Sequence, residues 1–183
     1  MKAKKSIAVR ITYIAAMAAL IFVSGMFAIP LLDSKIQLGN IMAILGGFLL
    51  GGLPGGIASA IADILHDIVS GDTPIELVLS ATVKFSMAFA AGTASTGLSK
   101  KISKQTHSDV LSAAIGAVTY FVLHSAKHMI LKMFVEGLPL NAALLVLAQK
   151  TPATFINAIA MVIAIPILLS LLRPALKKGT GVL

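Results

Sequence analysis

Apolar runs alternate with short polar punctuation along this chain at intervals that suit one helix after another. The first run covers residues 7–30 and stops at the polar patch Asp33, Ser34, Lys35 and Gln37. A second begins near Gly39 and ends at Gly51 and Gly52. Leu53, Pro54, Gly55 and Gly56 then form a tight turn, with Pro54 suited to the first helical position of a third run that reaches Ser70. Thr73, Pro74 and Glu76 match an N-cap, a first-turn proline and the acidic partner of a capping box, opening a fourth helix that continues to Gly97. Residues 100–107 form a basic linker, and Ser108 is placed to cap a fifth helix extending to Val135.

The last run, residues 140–172, would measure about 50 Å as one helix, well beyond the roughly 30 Å of a hydrocarbon core. Thr151 as cap and Pro152 as first residue divide it, predicting a sixth span from 152 to Leu172 and a short surface segment over residues 141–149. Pro166 is a candidate kink within that span. The pattern therefore predicts an all-α integral membrane bundle of six transmembrane helices, forming a single domain over residues 1–183. Continuous runs rich in Ala, Leu, Ile and Gly exclude the shorter alternating segments of a β-barrel.

Composition agrees: 57% of residues are hydrophobic and 12% charged, against about 25% charged in an ordinary soluble domain. Cysteine is absent, which excludes disulfides, thiolate metal sites and thiol nucleophiles. The basic start before an apolar run reads as a retained first helix, because no small-residue cleavage pattern follows it. With six spans, Lys2, Lys4, Lys5, Arg10, Lys100, Lys101, Lys104, Arg173, Lys177 and Lys178 fall on the side of both termini. The opposite loops carry Asp33, Lys35, Asp72, Glu76 and Glu136, so the positive-inside rule makes both termini cytoplasmic. That rule also accounts for the net charge of +8 and leaves no basic surface that calls for nucleic acid.

Against this apolar background, ionisable residues inside the spans are informative, since each costs about 2.5 to 3.5 kcal/mol to insert unless it is paired or wet. Asp63, His66 and Asp67 occupy the third helix, and the four-residue step puts both carboxylates on one face. Lys84 lies about 15 to 18 Å into the fourth helix, a depth that Asp63 or Asp67 can match, so both a structural ion pair and a ligand contact are open to these residues. Tyr120, His124, His128 and Lys132 climb the fifth helix at four-residue steps with Lys127 beside them, a stripe that suits a wet lining. Lys132 is close enough to the outer end to snorkel instead. Gln149, Lys150 and Asn157 add polar groups at the outer part of the last run, although Asn157 also suits an ordinary interhelical hydrogen bond. Helices four to six thus concentrate hydrogen-bonding groups in the outer leaflet, predicting a pocket whose Lys, His, Gln and Asn residues suit a small solute with several acceptors, an anionic group among them, the two aspartates balancing the excess positive charge of the pocket itself.

Several chemistries find no support. No G-x-x-x-x-G-K-[ST] loop exists, so energy from ATP must come from other chains. Neither a Gly-x-Ser-x-Gly elbow nor a His-Glu-x-x-His zinc motif is present, and the chain reads as a non-enzyme without cofactor. The Asp63, His66 and Asp67 group and the His124 and His128 pair are only half-sites for a metal. Ala15, Ala16, Ala18 and Ala19, with Ser24 and Gly25, form small-residue faces on the first helix that suit close approach of another helix, inside or outside the bundle.

Leu38, Gly39 and Asn40, followed by Gly46, Gly47, Gly51, Gly52, Pro54, Gly55 and Gly56 and then Asp63 and Asp67 on a helix, form a pattern that resembles the substrate-binding S component of energy-coupling factor (ECF) vitamin transporters, particularly the riboflavin-transporter-like branch. The resemblance extends in length and topology over nearly the whole chain. It implies a membrane-embedded, high-affinity binding subunit that joins a transmembrane T component and two cytoplasmic ATPases, tips over in the bilayer and releases a vitamin or vitamin precursor inside a bacterial cell. The family's site would map onto Lys84, His124, Lys127, His128, Gln149, Lys150 and Asn157, and its T-component docking face onto Ala15 and Ala19. A lysine-rich N-terminus departs from metal-importing relatives and argues against nickel or cobalt, and the absence of Trp argues against thiamine and biotin. The reading from another class is a self-contained proton-coupled carrier of a small polar solute, with Asp63, Asp67 and His124 as relay; the Pro54 turn has no counterpart in the C-terminal half to suggest the inverted repeat it would favour.

Overall fold

A computed structural model describes residues 6–31 and 34–179, with no account of the side chains of residues 31, 34 and 176–179. Lys2, Lys4, Lys5 and Asp33, and the side chains of Lys177 and Lys178, therefore lie outside the described residues. Among the described residues six helices follow one another: α1 (Ile7–Met26), α2 (Leu38–Leu50), α3 (Gly52–Ser70), α4 (Pro74–Leu98), α5 (Gln105–Ile130) and α6 (Leu140–Gly179). Two short strands, β1 (Ala28–Leu31) and β2 (Ser34–Gln37), form a hairpin between α1 and α2, and a π-helical turn over Leu131–Val135 extends α5. Four helical stretches, α1, α4, α5 with its extension and α6, are each long and apolar enough to cross a membrane. At 13 residues, or about 20 Å, α2 is shorter than a bilayer core.

The element ends show where side chains rather than hydrophobicity decide. Thr73 and Glu76 form the expected capping box, in which Glu76 accepts from the Thr73 N–H at 2.9 Å and from its hydroxyl at 2.8 Å. The first apolar run does not stay helical to Pro30: α1 stops at Met26, Phe27 is extended, and Pro30 sits in β1 paired with Lys35. Helix α3 begins at Gly52, so Pro54 stands within its first turn, where a missing N–H costs nothing. Ser108 is not a cap, because α5 starts a turn earlier at Gln105, and the Lys104 carbonyl already accepts from His107 and Ser108.

The largest departure lies in α6, which is continuous for 40 residues, about 60 Å, with Pro152, Pro166 and Pro174 inside it. Residues 141–149 are thus part of the helix rather than a separate surface segment. Thr151 does not cap forward; its hydroxyl donates back to the Leu147 carbonyl at 2.7 Å, and that of Thr154 donates to Lys150 at 3.0 Å. Hydroxyls that bond the preceding turn are one means by which membrane helices tolerate proline.

Helix α4 packs between α3 and α5, α6 lies against α5 and α2, and α1 covers α2 and α3. Small residues allow the closest crossing: a Cβ on Gly47 would run into the Ala88 carbonyl oxygen, and one on Gly92 would meet the backbone of Gly47 and Gly52. The core around this crossing contains Ile44, Met87, Met161 and Ile165, all fully buried, with Ala43, Ala58, Ala91 and Ala113. Large apolar side chains such as Val118, Val122, Ile163 and Leu171 point outward, as lipid-facing positions should. At the end of the bundle that holds the α4–α5 linker, Arg173 donates twice to the buried Asp109, at 2.5 and 2.7 Å, and fastens α6 to α5.

Candidate functional site

The opposite end of the bundle is hollow. Helical spacing sets its walls: α3 contributes Asp63, His66, Asp67 and Ser70, α4 contributes Glu76, Ser80 and Lys84, and α5 contributes Tyr120, His124, Lys127 and His128. Val83 of α4, Asp72 of the α3–α4 loop, Lys150 of α6 and Pro30, Lys35 and Gln37 of the hairpin complete the lining. The cavity is open on one side and has a volume of about 580 Å³, within the roughly 300 to 1,000 Å³ range of small-molecule sites.

At its base, the Lys84 ammonium donates to Asn40 Oδ1 and, at 3.4 Å, to Gln37 Oε1, and it stands 3.7 Å from Asp63 Oδ1. One cation therefore ties together α2, α3, α4 and the end of the hairpin. His66 Nδ1 is 3.3 Å from Asp67 Oδ1. Asp63 and Asp67 are each more than nine-tenths buried, and each has a second oxygen, Oδ2, without a hydrogen-bond partner. On α5, the Tyr120 ring stacks on His124 at 4.9 Å, and His124 Nε2 lies 3.1 Å from His128 Nε2. Lys127 donates to the Ser80 hydroxyl. In the α3–α4 loop, burial and then the like charges of Asp67 and Glu76 raise the Asp72 pKa above its ordinary value.

Of the residues expected at a site, Lys84, Tyr120, His124, Lys127, His128 and Lys150 line this one cavity together with Asp63 and Asp67. Gln149 does not; it is exposed, one helical step of about 100° from Lys150. Asn157 is buried but outside the lining, where its Oδ1 accepts from the Gln37 N–H at 3.0 Å and its Nδ2 donates to the Lys35 carbonyl at 2.9 Å. It holds the hairpin that forms one side of the site. Lys132 pairs with Glu136 at 2.5 Å and stays out of the cavity. Ala15 and Ala19 are exposed on α1, with Ala18 on its buried side.

Sequence reading missed Gln37 and Asn40 as partners of Lys84, Ser80 as partner of Lys127, and the placement of Lys35, Asp72 and Glu76 at the rim. The four-residue step Glu76, Ser80, Lys84 was a usable signal for Ser80. Nothing local marks Gln37 and Asn40, which meet Lys84 only through the tertiary fold. Among the described residues no three potential metal ligands of the His, Asp and Glu type converge.

A family model described as the ECF-type riboflavin transporter, S component, matches residues 5–174. No curated protein sequence matches the chain. Among solved structures, one described as the S component of a bacterial ECF transporter superposes with a TM-score of 0.69 at 18% identity, covering 94% of this chain and 99% of that one. ThiT from Listeria monocytogenes superposes with a TM-score of 0.68 at 16% identity, covering 96% of this chain and 97% of that one. At these identities the two structures establish the same fold.

Proposed function

Because this chain belongs to the family of ECF-type riboflavin transporter S components, we propose that it is the high-affinity binding subunit for a vitamin or vitamin precursor in a bacterial plasma membrane. It delivers its ligand to an importer completed by a transmembrane T component and two ATPases on other chains. The observation that carries this reading is the polar cavity built by four helices and the hairpin at one end of the bundle. Buried hydrogen-bonding groups are expensive unless a partner satisfies them, so such a cavity is built to be filled.

The positive residues Arg10, Lys100, Lys101, Lys104 and Arg173 lie at the end away from the cavity, so the positive-inside rule turns the cavity to the exterior. Lys84, Tyr120, His124, Lys127, His128 and Lys150 contact the ligand, and Asn157 acts through the hairpin. Ala15 and Ala19, exposed and small, form the docking face for the T component.

Purified chain, without ATP or an ion gradient, is expected to bind one member of a vitamin panel tightly in calorimetry. Lys127→Ala should weaken that binding on the order of tenfold or more by removing a charged donor. Absence of any tight ligand in folded protein would sink the reading.

A further inference from the structure

Charge alone selects no ligand for this cavity, because its lining carboxylates and lysines match in number, four of each. Selection falls instead to individual donors and to how each is held. Lys84 meets Asn40, Gln37 and Asp63 at the base. Lys127 is held more lightly: its ammonium carries three N–H donors, and its hydrogen-bond partner among the described residues is the Ser80 hydroxyl, across the α4–α5 interface. Ser80 is 7% exposed and lines the cavity one turn of α4 from Glu76 and one from Lys84. A hydroxyl has one proton to donate and two lone pairs to accept with. The hydroxyls of Thr82, Ser112 and Thr119 give that proton to the carbonyl four residues back in their own helices. Ser80 does not; it accepts from Lys127, and among the described residues its proton has no acceptor. A largely buried hydroxyl with its proton unspent, joined to an ammonium with donors to spare, is a pair of donors waiting at one place for an acceptor.

Resting on the reading that the cavity holds a vitamin-like solute, we propose that Ser80 and Lys127 form a two-donor clamp for one carbonyl or carboxylate oxygen of that solute, with Ser80 also the residue that positions the Lys127 ammonium. Ser80 accepts from Lys127 and donates to the ligand oxygen, while Lys127 donates to both. A lysine side chain is long and flexible, and in an open cavity it would have to be ordered by the ligand. The bond to α4 imposes that order beforehand, so less freedom is lost on binding. A neutral carbonyl is a sufficient acceptor, because the clamp offers two hydrogen bonds and one of them is charge-assisted. The same contact joins α4 to α5, so the ligand oxygen is held where these two walls meet.

The test titrates the purified full chain by calorimetry with riboflavin, pantothenate, biotin, pyridoxine and thiamine, and carries the tightest binder into the variants. That binder is expected to bear a carbonyl or carboxylate. Ser80→Ala should weaken it about three- to tenfold, through the loss of one hydrogen bond and of a held ammonium. Ser80→Cys, close in shape but a weak donor, should behave like Ser80→Ala, which separates a lost hydroxyl from a lost volume, and Ser80→Thr should restore most of the affinity. In a Lys127→Ala background Ser80→Ala should cost less than it does alone, because no ammonium is left to hold. Melting without ligand follows the fold of each variant. Unchanged affinity in Ser80→Ala and Ser80→Cys, with any effect confined to melting, reduces the contact to a tie between helices and overturns the clamp while leaving vitamin binding intact. Losses from Ser80→Ala and Lys127→Ala that simply multiply overturn the positioning role, and a best ligand with neither carbonyl nor carboxylate overturns the assigned acceptor. Silence across the whole panel in protein that retains its helicity overturns both readings.

Discussion

Lys84 shows how much one side chain can decide inside a membrane bundle. Its charge is compensated by Asp63 and spread over the amide oxygens of Asn40 and Gln37, so truncation would leave a buried carboxylate without its cation. Lys84→Met is expected to lower stability by about 3 to 5 kcal/mol, and adding Asp63→Asn should restore a large part of it; thermal unfolding of the single and double variants measures both. Asn157 acts differently, since it touches the hairpin backbone and not the cavity. Asn157→Ala should leave helicity unchanged, speed hydrogen exchange at the Gln37 amide, and weaken ligand binding roughly tenfold through a looser hairpin. At this scale the sequence pointed to Lys84 and Asn157 as polar residues out of place and offered Asp63 or Asp67 as partner of Lys84, of which Asp63 is the one met; Asn40 and Gln37, 44 and 120 positions from Lys84 and Asn157, lie where no local pattern reaches.

Elements followed the hydrophobic pattern wherever the lipid or core was the only claim on a residue, and diverged where hydrogen bonds competed. The Thr73 to Glu76 box set the start of α4 because capping is a local exchange of donors and acceptors. Pro152 does not divide α6: the helix runs through it, with the Thr151 and Thr154 hydroxyls bonded to the preceding turn. Residues 28–30 read as the end of the first helix and residues 33–37 as a polar interruption, rather than as a hairpin, since a two-stranded ribbon is marginal by itself and this one leans on Asn157. At the α2, α3 and α4 crossing, Gly47→Val would drive a side chain into the Ala88 carbonyl. A loss on the order of 1 to 3 kcal/mol in a melting experiment is expected, with α2 separating from α4.

Across the whole molecule, the proposed function is divided between two regions: a polar cavity at one end of the bundle and a small-residue face on α1. Ala15→Trp and Ala19→Trp are expected to spare ligand binding by the purified chain and to abolish uptake in cells that supply the T component and ATPases. Unchanged uptake would show that the T component docks elsewhere. By itself the sequence determined the membrane environment, the helix count and the set of polar residues, because the cost of placing polar groups in lipid acts residue by residue and leaves a pattern along the chain. Only the tertiary structure decided that Lys84, His124 and Lys150 share one hollow, that Gln149 turns away from it, and that Asn157 supports its wall. Those outcomes depend on helix rotation and on contacts between distant segments, which packing sets for the molecule as a whole.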